Sequence, residues 1–248
     1  TGVQTCALPS CEIIRPFTRP DDAIALRRRA ELGKIRRAVI IGGGFVGCEM
    51  AEALGGLWAI QTTLIERENR LLPYALDPDM AEFVRTEMER HGVTVLTGAT
   101  VHQVRVMNER AAAVVADQAG EQKIEADYVL LCVGVTPETR LAVEAGLEVG
   151  GAGGVLVNEH LQTSDPEIYA GGDCIESRSI VSGQPMYLPM GSLAKRQGRV
   201  IAEHIAGNGS ARFAGVTGAM LIKAFDLNVG AAGISEQAAA KAGIKDRK

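Results

Sequence analysis

The chain has 248 residues, 46% hydrophobic and 23% charged, with a net charge of −4. That length can bury one or two cores, and a mildly acidic chain without a basic run argues against a nucleic-acid partner. No apolar run approaches the ~20 residues that cross a bilayer, no secretory signal opens the chain, and the cysteines form no Cys-x-x-Cys pair, which fits a reducing cytoplasm.

Thr1 to Pro9 (TGVQTCALP) looks like a translated sequencing-library adapter. Residues 1–10 are therefore read as a non-native leader that leaves Cys6 without chemistry, an ordinary disordered N-terminus being the rival. Residues 11–36 read as a linker that carries a charged helix. Asp21 or Asp22 is expected to cap this helix and Gly33 to end it, with Arg27–Arg29 a solvated face.

From Arg37 to Glu66 the order is an apolar strand (Ala38 to Ile41), a glycine turn, a helix, a second strand (Thr62 to Ile65) and an acid. Binding a dinucleotide asks for this order. Gly42 permits the tight turn, Gly44 lets the backbone approach a pyrophosphate, and Gly47 lets the helix pack closely on the strand. The helix then begins at the phosphates, where its free N–H groups and positive dipole end favour anions, with Phe45 and Val46 in that first turn. Glu66 lies 24 positions after Gly42, near the spacing of roughly 20 for an acid that takes the ribose hydroxyls. The helix is expected over Phe45 to Leu57, with Val46, Met50, Ala53, Leu54 and Leu57 facing the sheet, and with Cys48 and Glu49 in its first turn.

Asp77 and Pro78 open a further helix that stops at Gly92, and Val93 to Leu96 is the next strand. From Ala99 to Ala126, short alternating runs joined by polar turns predict an antiparallel β-meander ahead of a buried strand, Tyr128 to Val133. The Gly150 to Gly154 stretch suggests a domain boundary, which gives a first domain over 37–152, a second α/β segment over 153–212, and the start of a third region over 213–248. Strands are expected at Val155 to Val157, Ile168 to Ala170, Met220 to Phe225 and Asn228 to Ala232. Helices are expected over Leu193 to Ala206 and after Ser235. The histidines His91, His102, His160 and His204 are scattered, without metal-ligand spacing.

TSDPEIYAGGD (Thr163 to Asp173) ends a predicted strand in Gly-Gly-Asp, where a carboxylate can reach a polyhydroxylated ligand. Together with GGGFVGCEMAEAL (Gly42 to Leu54), CVGVTP (Cys132 to Pro137), PMGSLAKRQGR (Pro189 to Arg199) and KAFDLNVGAAGISEQA (Lys223 to Ala238), it makes the chain from about Pro16 onward resemble the flavin-dependent pyridine nucleotide–disulfide oxidoreductases. The likeness is greatest to the coenzyme A–disulfide reductase, NADH oxidase and NADH peroxidase branch. The resemblance implies an α/β fold: a Rossmann-like three-layer dinucleotide-binding domain with a β-meander insertion, part of a second FAD-binding α/β domain, and the start of an α+β interface domain. It implies FAD and NAD(P)H as cofactors, with NADH preferred because Glu66 would repel a 2′-phosphate and Arg67 as the counterweight.

The residue roles it implies are specific. Gly42, Gly44, Phe45, Val46, Gly47, Glu66 and Gly134 would hold the nicotinamide dinucleotide. Asp173, Leu188, Pro189, Leu193 and Ala194 would hold FAD, with a helix N-terminus near the flavin pyrimidine edge. Glu49 matches a family position near the nicotinamide, although the helix dipole alone would favour an acid there. Electrons would pass to a disulfide, oxygen or peroxide, or to a small redox protein. The family's own FAD glycine motif and redox cysteine precede the region seen here and are absent from it. Cys48 reads as a packing residue and no remaining cysteine as the redox centre, so the chain is expected to bind NADH weakly and FAD poorly. A homodimer is the family expectation. The alternatives are a reductase of ferredoxin-reductase type and a non-catalytic NADH sensor.

Overall fold

The computed structural model describes residues 4–5, 12–107, 110–117, 120–207 and 209–244. They fall into two units, Thr1–Gly134 with Leu221–Gly230, and Val135–Met220 with Ala231–Lys248. Of the expected leader, only 4–5 are described; Cys6 and Cys11 lie outside the described residues.

The first unit runs β1 (Gln4–Thr5), β2 (Ile14–Pro16), α1 (Pro20–Glu31), β3 (Arg37–Ile41), α2 (Phe45–Glu52), β4 (Gln61–Ile65), α3 (Pro78–Arg90), β5 (Thr94–Leu96), β6 (Thr100–Met107), β7 (Arg110–Asp117), β8 (Gly120–Ala126) and β9 (Tyr128–Leu131). Five strands form one sheet in the order β2-β9-β3-β4-β5, and every pairing in it is parallel. Such a sheet is covered on both faces, which is why its two central strands, β3 and β9, read as near-continuous apolar runs rather than alternating. Val39, Ile40, Leu64, Ile65, Val129 and Leu130 are all buried. The order reverses direction between β3 and β9, and ligands bind at such a switch point, outside the carboxyl ends of the strands. The expected meander is present as antiparallel β6-β7-β8 between β5 and β9.

The stretch expected to be a linker instead supplies β2, which pairs with β9 from Ile14↔Val129 to Pro16↔Leu131. Three residues are too few for periodicity to reveal. Asp22 does stabilise the start of α1, but from inside: the N-cap is Arg19, and the Asp22 carboxylate reaches back to accept the N–H groups of Thr18 at 3.2 Å and Arg19 at 3.0 Å. Gly33, at φ +65°, ends the helix as expected.

The helix after the glycine turn departs from its expected stripe. α2 ends at Glu52 and widens into a π turn over Ala53–Leu57. Gly47, Cys48, Ala51 and Leu54 are buried while Val46 and Leu57 are exposed, so the buried stripe runs i, i+4, i+7 from Gly47 rather than from Val46, and its last member lies in the widened turn. Glu49 is the fifth helical residue, past the first turn where the dipole acts, so the dipole does not account for it.

The second unit contains α4 (Arg140–Glu144), β10 (Ser177–Arg178), β11 (Pro185–Met186), α5 (Gly191–Ile205) and α6 (Glu236–Lys241); between α5 and α6 lie β12 (Met220–Ala224) and β13 (Leu227–Ala231), a paired hairpin. The break between units comes after Gly134, earlier than the expected 152/153. Residues beyond it pack into the second core: Ala142 of α4 lies against Val155, Leu161, Ile175, Phe213 and Val216, and Val149 bridges Val155. The expected strands at Val155 to Val157 and Ile168 to Ala170 reduce to single-residue bridges, Val155 with Ile175 and Gln162 with Tyr169. A tight turn, Ile168 N–H to the Asp165 carbonyl at 3.0 Å, leaves too little extended chain to pair. Ser235 caps α6, its hydroxyl accepting the Ala238 N–H at 3.2 Å.

The hairpin segment Leu221–Gly230 belongs to the first unit rather than to a third region. The Phe225 ring stacks on His91 at 4.3 Å, Lys223 pairs with Glu52 at 2.6 Å, and the His91 Nε2 lies 3.2 Å from Glu87 and 3.3 Å from Asp226. His91 is thus a clamp at the end of α3, and the hairpin turn is what it clamps.

Candidate nucleotide-binding site

The Gly42–Gly47 turn sits where β3 meets α2, and its glycines differ in what they allow. Gly42 has φ +109°, and a Cβ there would overlap the Cys132 carbonyl of the neighbouring strand end. A Cβ on Gly47 would overlap the Gly42 carbonyl, so this residue sets how closely α2 approaches β3. Gly44, the N-cap, faces open space, with nothing within 4 Å of an added Cβ. That opening is what a backbone approached by a phosphate needs. The first helical N–H groups, those of Phe45 and Val46 included, have no acceptor within the helix. No side chain caps them. Gly134, at φ +92° just past β9, also faces open space.

Glu66 lies at the carboxyl end of β4, buried to 8% exposure. Its carboxylate accepts the Gly43 N–H at 2.6 Å through one oxygen and the Glu68 N–H at 2.8 Å through the other. The acid therefore ties the glycine turn to the loop after β4. Each oxygen keeps a second lone-pair direction, so it can still accept a hydroxyl. Arg67, exposed, pairs with Glu68 at 3.2 Å.

Cys48 and Cys132 are unsuited to redox work. Burial, reinforced by the Glu66 and Glu49 carboxylates, raises the Cys48 thiol far above its usual range. Burial pushes Cys132 up to about 12. Neither is a thiolate near neutral pH, and the thiolate is the nucleophile.

In the second unit, the Gly171–Asp173 turn ends with Asp173 exposed. Gly172 has φ +85° and lies against Ala194, with 3.6 Å between that methyl and an added Cβ. A Cβ on Gly171 would meet Ile201 at 3.0 Å. Leu188 and Leu193 pack on the core of this unit, so their side chains are engaged there; Pro189 is half-buried. α5 starts after the N-cap Met190, whose carbonyl takes the N–H groups of Leu193 and Ala194 at 3.0 Å. The N–H groups of Gly191 and Ser192 precede these and point out of the helix start.

Two residues here escaped the sequence reading. Tyr187 has its phenol pushed up by burial and then by the nearby Asp173 carboxylate, so it remains a hydrogen-bond donor beside that acid. Gln197 is buried at 2% exposure, and its Oε1 accepts the Gly172 N–H at 2.7 Å. A polar residue inside a helical apolar stripe was the available signal for Gln197; nothing local marked Tyr187.

The two turns differ in what they offer. The first offers open glycine backbone, helix N–H groups and a carboxylate at the adjoining strand end. The second offers an exposed carboxylate and a helix N-terminus. The model for pyridine nucleotide-disulphide oxidoreductases matches residues 7–194. The chain belongs to this family. It is 33% identical over 228 residues to the NAD(P)H coenzyme A polysulfide/persulfide reductase of Pyrococcus horikoshii, covering 92% of the chain and 50% of that protein. The NADH oxidase of Methanocaldococcus jannaschii is 34% identical over 215 residues, 87% of the chain and 46% of that protein. The solved NAD-dependent persulfide reductase from A. fulgidus superposes with a TM-score of 0.89 at 38% identity, over 95% of the chain and 42% of that structure. The chain thus spans about half the length of the curated relatives it matches. Among the described residues no helix is long and apolar enough to cross a membrane.

Proposed function

We propose that the chain serves an oxidoreductase that takes hydride from NADH into FAD and passes the electrons to a small disulfide or persulfide. The carrying observation is the glycine turn at the sheet's switch point, with Gly44 open and Glu66 at the adjoining strand end. Family membership and the persulfide and polysulfide reductases among the relatives support the flavin and the acceptor class.

In this reading the chain's own residues bind and orient. The N–H groups at the start of α2 hold the NADH pyrophosphate, and Gly44 lets it approach. The Glu66 carboxylate accepts the adenosine ribose hydroxyls while still holding the Gly43 N–H. A 2′-phosphate there would meet a like charge, a repulsion of roughly 4 kcal/mol at ~4 Å and an effective dielectric near 20. Arg67 offsets little of it, since its guanidinium already faces Glu68 on the exposed side. Asp173 would hold FAD through its ribityl or pyrophosphate-side portion, and the positive dipole end at the start of α5 would favour negative charge on the reduced flavin. Bound FAD supplies a two-electron hydride acceptor. Thiol exchange with the acceptor is assigned to neither Cys48 nor Cys132, which stay protonated.

The test is a pair of titrations of the purified chain. NADH fluorescence should saturate, and Gly44→Asp should abolish the saturation. FAD fluorescence should be quenched on binding, at the high concentrations that the poor uptake expected of this chain requires, and NADH should then bleach the flavin band. Quenching without bleaching would leave a nucleotide sensor, and saturation by NADH without any flavin uptake would remove the oxidoreductase proposal.

A further inference from the structure

We infer that Gln197 is a positioning residue that locks the Asp173 carboxylate in register with the N-terminus of α5, and so sets the affinity for a flavin dinucleotide. The inference rests on the proposed FAD reading of this unit and adds a residue to it.

The argument starts from the face of α5. Ala194, Gln197 and Ile201 are spaced i, i+3 and i+7, so they form one stripe. All three meet the same turn. Ala194 lies under Gly172, Ile201 under Gly171, and the Gln197 Cβ is 3.4 Å from a Cβ built on Gly171. Two of these contacts are apolar and define only a distance. The third is directional: the Gln197 Oε1 accepts the Gly172 N–H at 2.7 Å. Gly172 is at φ +85°, a conformation that glycine adopts freely and that by itself fixes no direction, and Asp173 is the next residue.

Chemistry explains the residue type. A backbone N–H turned inward, as the part-buried Gly172 N–H is, calls for an acceptor. At this point of α5 the helix carbonyls are taken by the helix, so a side chain has to provide one. Asn is too short to reach from the stripe, and Glu would bring a buried charge close to Asp173. Gln supplies a neutral acceptor of the right length. The helix rises about 1.5 Å per residue, so the free N–H groups of Gly191 and Ser192 stand roughly 8–9 Å up the axis from Gln197. One hydrogen bond therefore fixes the spacing between the two elements assigned to the cofactor.

The experiment compares wild-type chain, Gln197→Met, which keeps length without an acceptor, and Gln197→Glu, which keeps the acceptor. Two readouts are taken on each. The first is amide hydrogen exchange across the turn and across α5. The second is FAD affinity by fluorescence quenching, together with the visible circular dichroism of the bound flavin. Gln197→Met should expose the Gly172 amide to exchange while α5 stays protected, weaken FAD about tenfold, the worth of one hydrogen bond, and change the dichroism. Gln197→Glu should restore both in part. Unchanged Gly172 exchange in Gln197→Met overturns the clamp. A lost clamp with unchanged FAD affinity and dichroism overturns the positioning role alone. If the wild-type chain takes up no FAD, the flavin reading falls and the positioning role falls with it, and the exchange data still show whether the clamp exists.

Discussion

The Gly42–Gly47 turn stands on strands paired over five residues on one side and four on the other. The Gly171–Asp173 turn stands on isolated bridges and a single side-chain hydrogen bond to Gly172. The first is enforced by backbone: a Cβ on Gly47 meets a carbonyl, not a movable side chain. The second is enforced by the face of one helix. A turn held by a sheet announces itself in sequence as strand, glycines and helix. A turn held by side chains leaves only its glycines to be seen.

Substitutions can break that contrast. The largest effect is expected for Gly47→Ala, which forces α2 off β3 and should destabilise by about 3 kcal/mol in urea unfolding. Its partner experiment is Gly44→Ala, where the added methyl enters open space. Stability should fall by less than ~1 kcal/mol while NADH affinity drops. Equal losses from the two would show that the turn is not built as described.

Next comes Glu66→Ala. Two N–H groups lose their acceptor, so a loss of roughly 2 kcal/mol is expected. Both cofactors should then bind less well, with NADPH losing less than NADH. The ratio of the two affinities is the measurement that matters, and a ratio that stays put would refute the specificity argument.

A third prediction concerns alkaline pH. The folded-state values of Cys48 and Cys132 are raised above the ordinary 9.0, so above that pH the folded chain keeps protons that the unfolded chain releases. Their contribution is complete below about pH 9 and is lost as pH rises, by ~1.4 kcal/mol per pH unit for each thiol. For Cys132 the loss ends at about 12. Cys48→Ala should remove one thiol's share of that slope in unfolding curves taken between about pH 8 and about pH 10.5.

The smallest effect is expected at Tyr128, whose hydroxyl is buried without a partner among the described residues. Tyr128→Phe should be neutral or stabilising by up to ~1 kcal/mol. A clear loss of stability would mean that the hydroxyl is bonded.

The sequence showed the first strand, turn and helix well, for a physical reason. Strand, glycine turn and helix are local, so Gly42, Gly44, Gly47 and Glu66 could be placed from spacing alone, and the meander followed from alternation. What stayed hidden was non-local or brief. β2 finds its partner more than a hundred residues away in β9. The π turn at Ala53–Leu57 carries Gly55 and Gly56 under the Phe225 ring, whose atoms lie 3.6 and 3.4 Å from a Cβ built on each, a contact across the fold that spacing does not reveal. The hairpin carrying Phe225 joins the first unit through the His91 stack, a contact no periodicity encodes. Gln197 and Tyr187 act across the fold on Gly172 and Asp173, and a single chain gives no spacing rule for such ties.

Glu66 has one further consequence. Because the same carboxylate fastens the Gly43 amide and, in the proposed reading, meets the adenosine ribose, its charge can be removed without freeing the loop only by a replacement that keeps an acceptor. Glu66→Gln would remove the repulsion toward a 2′-phosphate and leave one oxygen for one of the two N–H groups, whereas Glu66→Ala gives up both.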